Sequence, residues 1–81
     1  MKRILFSELA RADVRRLNRE TAMRILTALH RFAESGVGDM KRLKGETEEL
    51  RLRIGDYRVR FTKESDTLHI NRVLHRKEAY R

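Results

Sequence analysis

The hydrophobic period of this 81-residue chain changes halfway along it. Between residues 8 and 34, apolar side chains recur at the three- and four-residue spacing of an α-helix, whereas between residues 50 and 61 they alternate with arginine. Apolar helix stripes and sheet faces must bury one another, and a chain of this length can build one small core. We therefore predict a single domain over residues 1–81, of the α+β class, with two N-terminal helices packed on a small antiparallel β-sheet.

A short first strand is predicted at residues 2–6, followed by the first helix at residues 8–17. Ser7 is a good N-cap for this helix, because its hydroxyl can accept a bond from an N–H in the first turn. Asp13 is placed away from the buried stripe of the helix. That stripe comprises Ala10, Val14 and Leu17.

The second helix is predicted at residues 20–34, with Asn18 as its N-cap and Gly36 as its C-terminal stop. Residues 36–39 then predict a flexible connection, and residues 40–45 a short transitional segment in which Leu43 is the buried anchor. The apolar face of this second helix is formed by Ala22, Ile25, Leu26, Leu29, Phe32 and Ala33.

The turn at Gly55-Asp56 predicts a β-hairpin, because a two-residue loop sets the register of the strands on either side of it. Arg53 then lies opposite Arg58, and Arg51 lies opposite Arg60. Like charges directly opposite each other cost about 0.2–1 kcal/mol per pair. Phosphate groups bound between the guanidinium groups would offset that cost. The alternative is that arginine is simply the polar choice for an exposed sheet face.

The formal net charge of +8 and the sequence pI of about 10.8 favour a polyanionic partner. The chain has no cysteine, which excludes disulfides, thiolate zinc sites and cysteine nucleophiles. No segment approaches the roughly 18 apolar residues that span a bilayer. The three histidines are scattered along the chain. We expect a cytoplasmic protein with no metal site, no small-molecule cofactor and no membrane association.

A last strand is predicted at residues 68–74, and a basic tail follows at residues 75–81. Within the tail, His75 can exchange a proton near neutral pH, and Tyr80 can stack on a base or donate a proton. The alternative is that these are ordinary surface residues.

Three segments of the chain together resemble the RelE/ParE superfamily of toxins from type II toxin–antitoxin systems: Arg42-Leu-Lys-Gly45, Leu50-Arg-Leu-Arg-Ile-Gly-Asp-Tyr-Arg-Val-Arg-Phe61 and His75-Arg-Lys-Glu-Ala-Tyr-Arg81. The resemblance spans the whole chain in element order. It implies a RelE-like fold and a cognate antitoxin that wraps the toxin. RelE-like members cleave mRNA, typically in the ribosomal A site, whereas ParE-like members poison DNA gyrase and lack the nuclease residues.

Taken position by position, the resemblance implies a catalytic set that comprises Arg51, Arg53, Arg58, Arg76 and Tyr80. The four arginines would bind phosphate and stabilise the charged transition state, and Tyr80 would stack on a base or transfer a proton. RNA binding is assigned to Arg60, His75 and Arg81. One departure matters, because the family's nucleases carry lysines on the first hairpin strand, where this chain has arginines. An arginine does not readily give up its proton. The general base is therefore open between His75 and Glu49.

The function expected from these features is metal-independent endoribonuclease activity on mRNA, in association with the ribosome, which inhibits translation. The ribose 2′-hydroxyl would attack the adjacent phosphate, leaving a 2′,3′-cyclic phosphate and a 5′-hydroxyl. Two alternatives stay open, a ParE-like inhibitor of DNA gyrase and a non-catalytic nucleic-acid-binding domain.

Overall fold

The computed structural model describes residues 2–42 and 48–79. Within them the strands form one five-stranded sheet in the order β1-β5-β4-β3-β2. The predicted α+β fold, two N-terminal helices on a sheet, is confirmed. No helix in this part of the chain is long and apolar enough to cross a membrane. The elements are β1 (Arg3–Phe6), α1 (Glu8–Arg15), α2 (Arg19–Ser35), β2 (Asp39–Arg42), β3 (Leu50–Ile54), β4 (Tyr57–Glu64), β5 (Thr67–His75) and α3 (Arg76–Ala79).

The two long helices begin at the predicted caps. The Ser7 hydroxyl accepts a hydrogen bond from the Ala10 N–H at 3.1 Å, and the Asn18 side chain accepts one from the Thr21 N–H at 2.8 Å. The second helix stops at Gly36, which has the left-handed conformation with φ 75°. The first helix ends two residues earlier than predicted.

The core lies between α2 and one face of the sheet. Phe32 of α2 meets Phe61 of β4 edge to face, with ring centroids 5.5 Å apart. Burying each large apolar side chain of this kind contributes about 1.5–3 kcal/mol. The sheet residues buried in this core are Leu50, Leu52, Ile54, Val59, Phe61, Leu68, Ile70 and Val73.

The sheet differs from the prediction in two respects. β1 pairs with β5 in parallel, so the sheet is mixed rather than wholly antiparallel. Residues 39–42, predicted as the end of the flexible connection and the start of the transitional segment, form the edge strand β2 against β3. Leu43, the predicted buried anchor, lies outside the described residues. The hairpin register is as predicted, with Ile54 opposite Tyr57 and Gly55 at a positive φ of 58° that a side chain would disfavour.

The edge of β5 is only half covered by β1, whose last pairing joins Phe6 to Ile70. Beyond that point the edge of β5 is completed by α1 and its cap. The Ser7 hydroxyl donates to the Asn71 carbonyl at 2.9 Å, and the Asp13 carboxylate accepts the Val73 N–H at 2.9 Å. Helix side chains thus replace the strand that would otherwise have to cover these backbone groups.

Asp13 itself is buried, which corrects the prediction that it lies away from the packed side of α1. Its carboxylate accepts two bonds from Arg72, at 2.8 and 3.0 Å, and one from Arg16 at 2.7 Å. Burial by itself would raise the pKa of Asp13, but the hydrogen bonds from Arg72, Val73 and Arg16 outweigh it and lower that pKa. The hydrogen bonds that Arg72 donates to Asp13 raise the pKa of Arg72.

Replacing Asp13 with asparagine is expected to lower the free energy of unfolding by about 2–4 kcal/mol, because the buried negative charge is lost and one of its two acceptor oxygens becomes an NH2 donor that faces other donors. The pKa of Asp13 is lower in the folded chain than in the unfolded chain. The difference from wild type should therefore be complete above about pH 5 and should shrink as the pH falls through the folded pKa. Urea denaturation at several pH values measures it.

The matched control is Asp66→Asn, which removes the same charge from an exposed turn and should cost no more than about 0.5 kcal/mol. Equal stability of the two variants at neutral pH would contradict the role of Asp13.

Candidate nucleic-acid interface

The sheet surface turned away from α2 is basic, and we call it the arginine face. It is defined by the side chains that alternate with the core residues of β3 and β4, together with Lys41 of β2, which is paired with Arg51. The two predicted arginine pairs are directly opposed in the register of β3 and β4. The members of this face are Lys41, Arg51, Arg53, Arg58 and Arg60.

One row of the arginine face crosses four strands with a basic residue at every position. Lys41 is paired with Arg51, Arg51 with Arg60, and Arg60 with Arg72. The Lys41 side chain is exposed and that of Arg60 is 38% exposed, while Arg72 is held by Asp13. Lys41 was not among the predicted site residues, because the segment that carries it was interpreted as a connection.

The second row, Arg53 and Arg58, is less exposed to solvent than the sequence predicts. Arg53 is exposed, but its partner Arg58 is only 5% exposed. The Arg58 guanidinium donates to the carbonyls of Gly55 and Tyr57, at 3.2 and 3.1 Å. Leu74, which is paired with Arg58, is also buried, and α3 contacts both strands. Arg58 is therefore a buried side chain that stabilises the hairpin turn.

A carboxylate lies at the end of the arginine face, beside the first row. The Glu49 Oε1 is 3.9 Å from the Arg60 Nε, and its Oε2 accepts a hydrogen bond from the Asn71 amide at 2.9 Å. The same amide nitrogen donates to the Thr62 hydroxyl at 3.0 Å. We call these residues, Glu49, Thr62 and Asn71, the carboxylate corner. Asn71 and Thr62 were not predicted, because their neighbours come from different strands.

The C-terminal candidates are only partly within the described residues. Arg76 is anchored at the hairpin turn, where its N–H donates to the Asp56 carbonyl at 2.7 Å. Its guanidinium is 57% exposed and lies 4.0 Å from the Asp56 carboxylate. Tyr80 and Arg81 lie outside the described residues, so their predicted roles stay predictions.

His75 is not placed on the arginine face. Its ring meets Tyr57 edge to face, with centroids 5.3 Å apart, and Tyr57 packs against the core. Both rings line a cleft of about 250 Å³ that also includes Asp13 and Val73. The His75 Nδ1 accepts the Lys77 N–H at 3.2 Å, which ties the ring to the start of α3. The structure thus separates His75 from the arginines with which it was grouped.

No group of three or more histidine, aspartate or glutamate side chains is close enough to hold a metal ion within residues 2–42 and 48–79. A family model described as the ParE toxin of the type II toxin-antitoxin system, parDE, matches residues 4–80. The chain belongs to the ParE toxin family.

This ParE-family chain is 43% identical over 42 residues to Toxin RelE3 of Methanocaldococcus jannaschii, a match that covers 52% of the chain and 48% of that protein. The chain thus spans about half the length of the curated relative it matches. Its fold is similar to that of the RelB-RelE antitoxin-toxin complex from Methanococcus jannaschii, with 29% identity, a TM-score of 0.76 and 94% of each chain covered.

The toxin-antitoxin complex RelBE2 from Mycobacterium tuberculosis has the same fold, with 23% identity, a TM-score of 0.80, and 91% of this chain and 96% of that one covered. Together with the family match, these similarities confirm the predicted resemblance of this chain to the RelE/ParE superfamily.

Replacing Arg58 with alanine is expected to lower the free energy of unfolding by about 1–3 kcal/mol, since two turn carbonyls lose a charged donor in a covered site. Arg53→Ala is the matched control, because it removes the opposed but exposed arginine and should change stability by no more than about 0.5 kcal/mol. Urea denaturation of both variants gives the comparison. Equal midpoints would contradict a structural role for Arg58.

Proposed function

We propose that this chain is a metal-independent endoribonuclease toxin that cleaves mRNA on the ribosome and so inhibits translation. The observation that supports it best is the row of basic residues across four strands, Lys41, Arg51, Arg60 and Arg72. Similarity to a protein named Toxin RelE3 and to a RelE structure supports the same class.

The arginine face is complementary in charge to a phosphate backbone. Guanidinium groups stay protonated at any biological pH and bind phosphate oxygens through two parallel bonds. Arg51, Arg53 and Arg60 on this face would hold the backbone and stabilise the extra negative charge of the transition state. Arg76 at the hairpin turn would add a further contact. Arg58 would act through the turn that it supports.

We further propose that an acidic antitoxin is the cognate partner and that the chain acts in the cytoplasm, where translated messages are found. The similar structures from two organisms are antitoxin–toxin complexes. A net charge of +8 on 81 residues favours such a partner, because binding would relieve the repulsion within the toxin.

Inhibition of DNA gyrase is the second candidate. It is favoured by the family model that matches residues 4–80, which describes ParE toxins. A basic sheet face alone would serve either class, because both partners are polyanions or bind one.

The experiment that separates the two candidates is induction of the chain in a bacterial host, followed by mapping of RNA ends. The endoribonuclease predicts new 5′-hydroxyl ends within translated messages, together with matching 2′,3′-cyclic phosphates. Intact messages with DNA damage, and inhibition of supercoiling by purified gyrase, would favour the second candidate and contradict the first.

Replacing Arg51 or Arg53 with alanine is expected to weaken binding to single-stranded RNA and to lower the salt dependence of log K by about 0.7 for each phosphate that the variant no longer binds. Arg11→Ala, on the exposed surface of α1, is the matched control for charge and should weaken binding least. Fluorescence anisotropy at several salt concentrations measures both quantities. Equal weakening in all three variants would mean that RNA does not select the arginine face.

A further inference from the structure

We propose that Glu49 is the general base of the cleavage reaction, and that Asn71 positions it. This inference rests on the proposed endoribonuclease function and identifies the group that accepts the 2′-hydroxyl proton. It is carried by the carboxylate corner, in which a glutamate beside the start of one strand is held by an asparagine from another next to the basic row.

Glu49 lies where a substrate bound to the arginine face would pass. It comes two residues before Arg51, and its Oε1 is 3.9 Å from the Nε of Arg60. Its side chain is 23% exposed, so the carboxylate is partly enclosed at the surface of the sheet. A phosphate bound to Arg60 would therefore lie within one nucleotide of this carboxylate, close enough for Glu49 to reach the adjacent ribose.

The orientation of Glu49 is set from across the sheet. The Asn71 amide nitrogen has two N–H groups, and it donates to the Glu49 Oε2 at 2.9 Å and to the Thr62 hydroxyl at 3.0 Å. Asn71 lies beside the register shift that separates the Phe61–Ile70 pair from the Arg60–Arg72 pair. That bulge lets the amide reach both partners.

The other candidate bases are less suited to the role. Arginines of the basic row are protonated and have no acceptor. His75 faces the cleft beside α1, and its Nδ1 already accepts the Lys77 N–H. Among the described residues on the arginine face, Glu49 is thus the carboxylate held in a defined position by another strand.

The proposed step conserves atoms and charge. Glu49 takes the proton from the 2′-hydroxyl while the 2′-oxygen forms a bond to the adjacent phosphorus. The bond between phosphorus and the 5′-oxygen breaks, and that oxygen takes a proton from water. The products are a 2′,3′-cyclic phosphate and a 5′-hydroxyl, and the carboxylate is regenerated when it returns its proton to solvent.

The test is the single-turnover cleavage of mRNA on translating ribosomes by purified wild type, Glu49→Gln and Glu48→Gln. Glu49→Gln keeps an oxygen for Asn71 but cannot accept a proton, so the rate should fall by about 10²–10⁴-fold. Its affinity for single-stranded RNA should not weaken, because a negative charge is removed. Glu48→Gln, an exposed neighbour with the same charge change, should cleave at the wild-type rate.

Two further variants keep the proposal testable if Glu49→Gln is poorly folded. Glu49→Asp withdraws the carboxylate by one methylene and should lose about 10- to 100-fold in rate. Asn71→Ala should lower the rate in the wild-type background but add nothing to Glu49→Gln, since a positioning residue acts only through the group it positions. Additive losses would assign Asn71 a purely structural role.

A substrate with sulfur in place of the bridging 5′-oxygen shows whether Glu49 accepts a proton from the 2′-hydroxyl or donates one to the leaving group. The thiolate leaving group needs no proton, so only loss of a proton donor would be rescued by this substrate. Glu49→Gln should stay slow on it, and restored cleavage would mean that Glu49 donates a proton, which overturns the proposal. Wild-type rates in Glu49→Gln would also overturn it while leaving the endoribonuclease intact. Absence of cleavage by the wild-type chain would instead overturn the proposed function, and the role of Glu49 with it.

Discussion

The contact of Asp13 with Arg72 and the Val73 N–H is the interaction on which the rest of the structure depends. β5 lies between β1 and β4, but β1 covers only the first part of its edge. A carboxylate from α1 completes that edge and fixes the helix to the strand through charge-assisted bonds. Since β5 also carries Asn71 and leads into α3, this contact sets where both ends of the candidate site lie.

The sheet divides the chain into an apolar side that provides stability and a charged side that opposes it. The core is small, and repulsion between the directly opposed arginines offsets part of the stability that burial of the core contributes. The structure relieves part of this repulsion by using two arginines internally. Arg58 turns to the carbonyls of the hairpin, and Arg72 turns to Asp13. The other basic side chains of the arginine face lie on the surface that a polyanion would meet.

The arginine face therefore carries two kinds of side chain: cations that can bind phosphate, and the Glu49 carboxylate, which can accept a proton. Arginines stabilise an anionic transition state well but are poor bases. In the proposed reaction the carboxylate corner supplies the base at the edge of the basic row, where the Glu49 Oε1 lies 3.9 Å from the Arg60 Nε and the Oε2 accepts a hydrogen bond from the Asn71 amide at 2.9 Å. The proposed nuclease site of this ParE-family chain thus has arginines, and no lysine, on its first hairpin strand.

The local sequence pattern by itself determined most of the fold. The helix caps at Ser7 and Asn18, the hairpin register around Gly55 and the family resemblance were all predicted, because each depends on residues close together in the chain. Asp13 was missed, although it lies three residues after Ala10 and hence on the buried stripe of its helix. Only the tertiary structure decided which arginines are covered, that His75 faces away from them, and that Asn71 reaches Glu49. The physical reason is that these outcomes depend on contacts between strands distant in sequence, whose pairing, bulges and parallel edge leave no periodic signal.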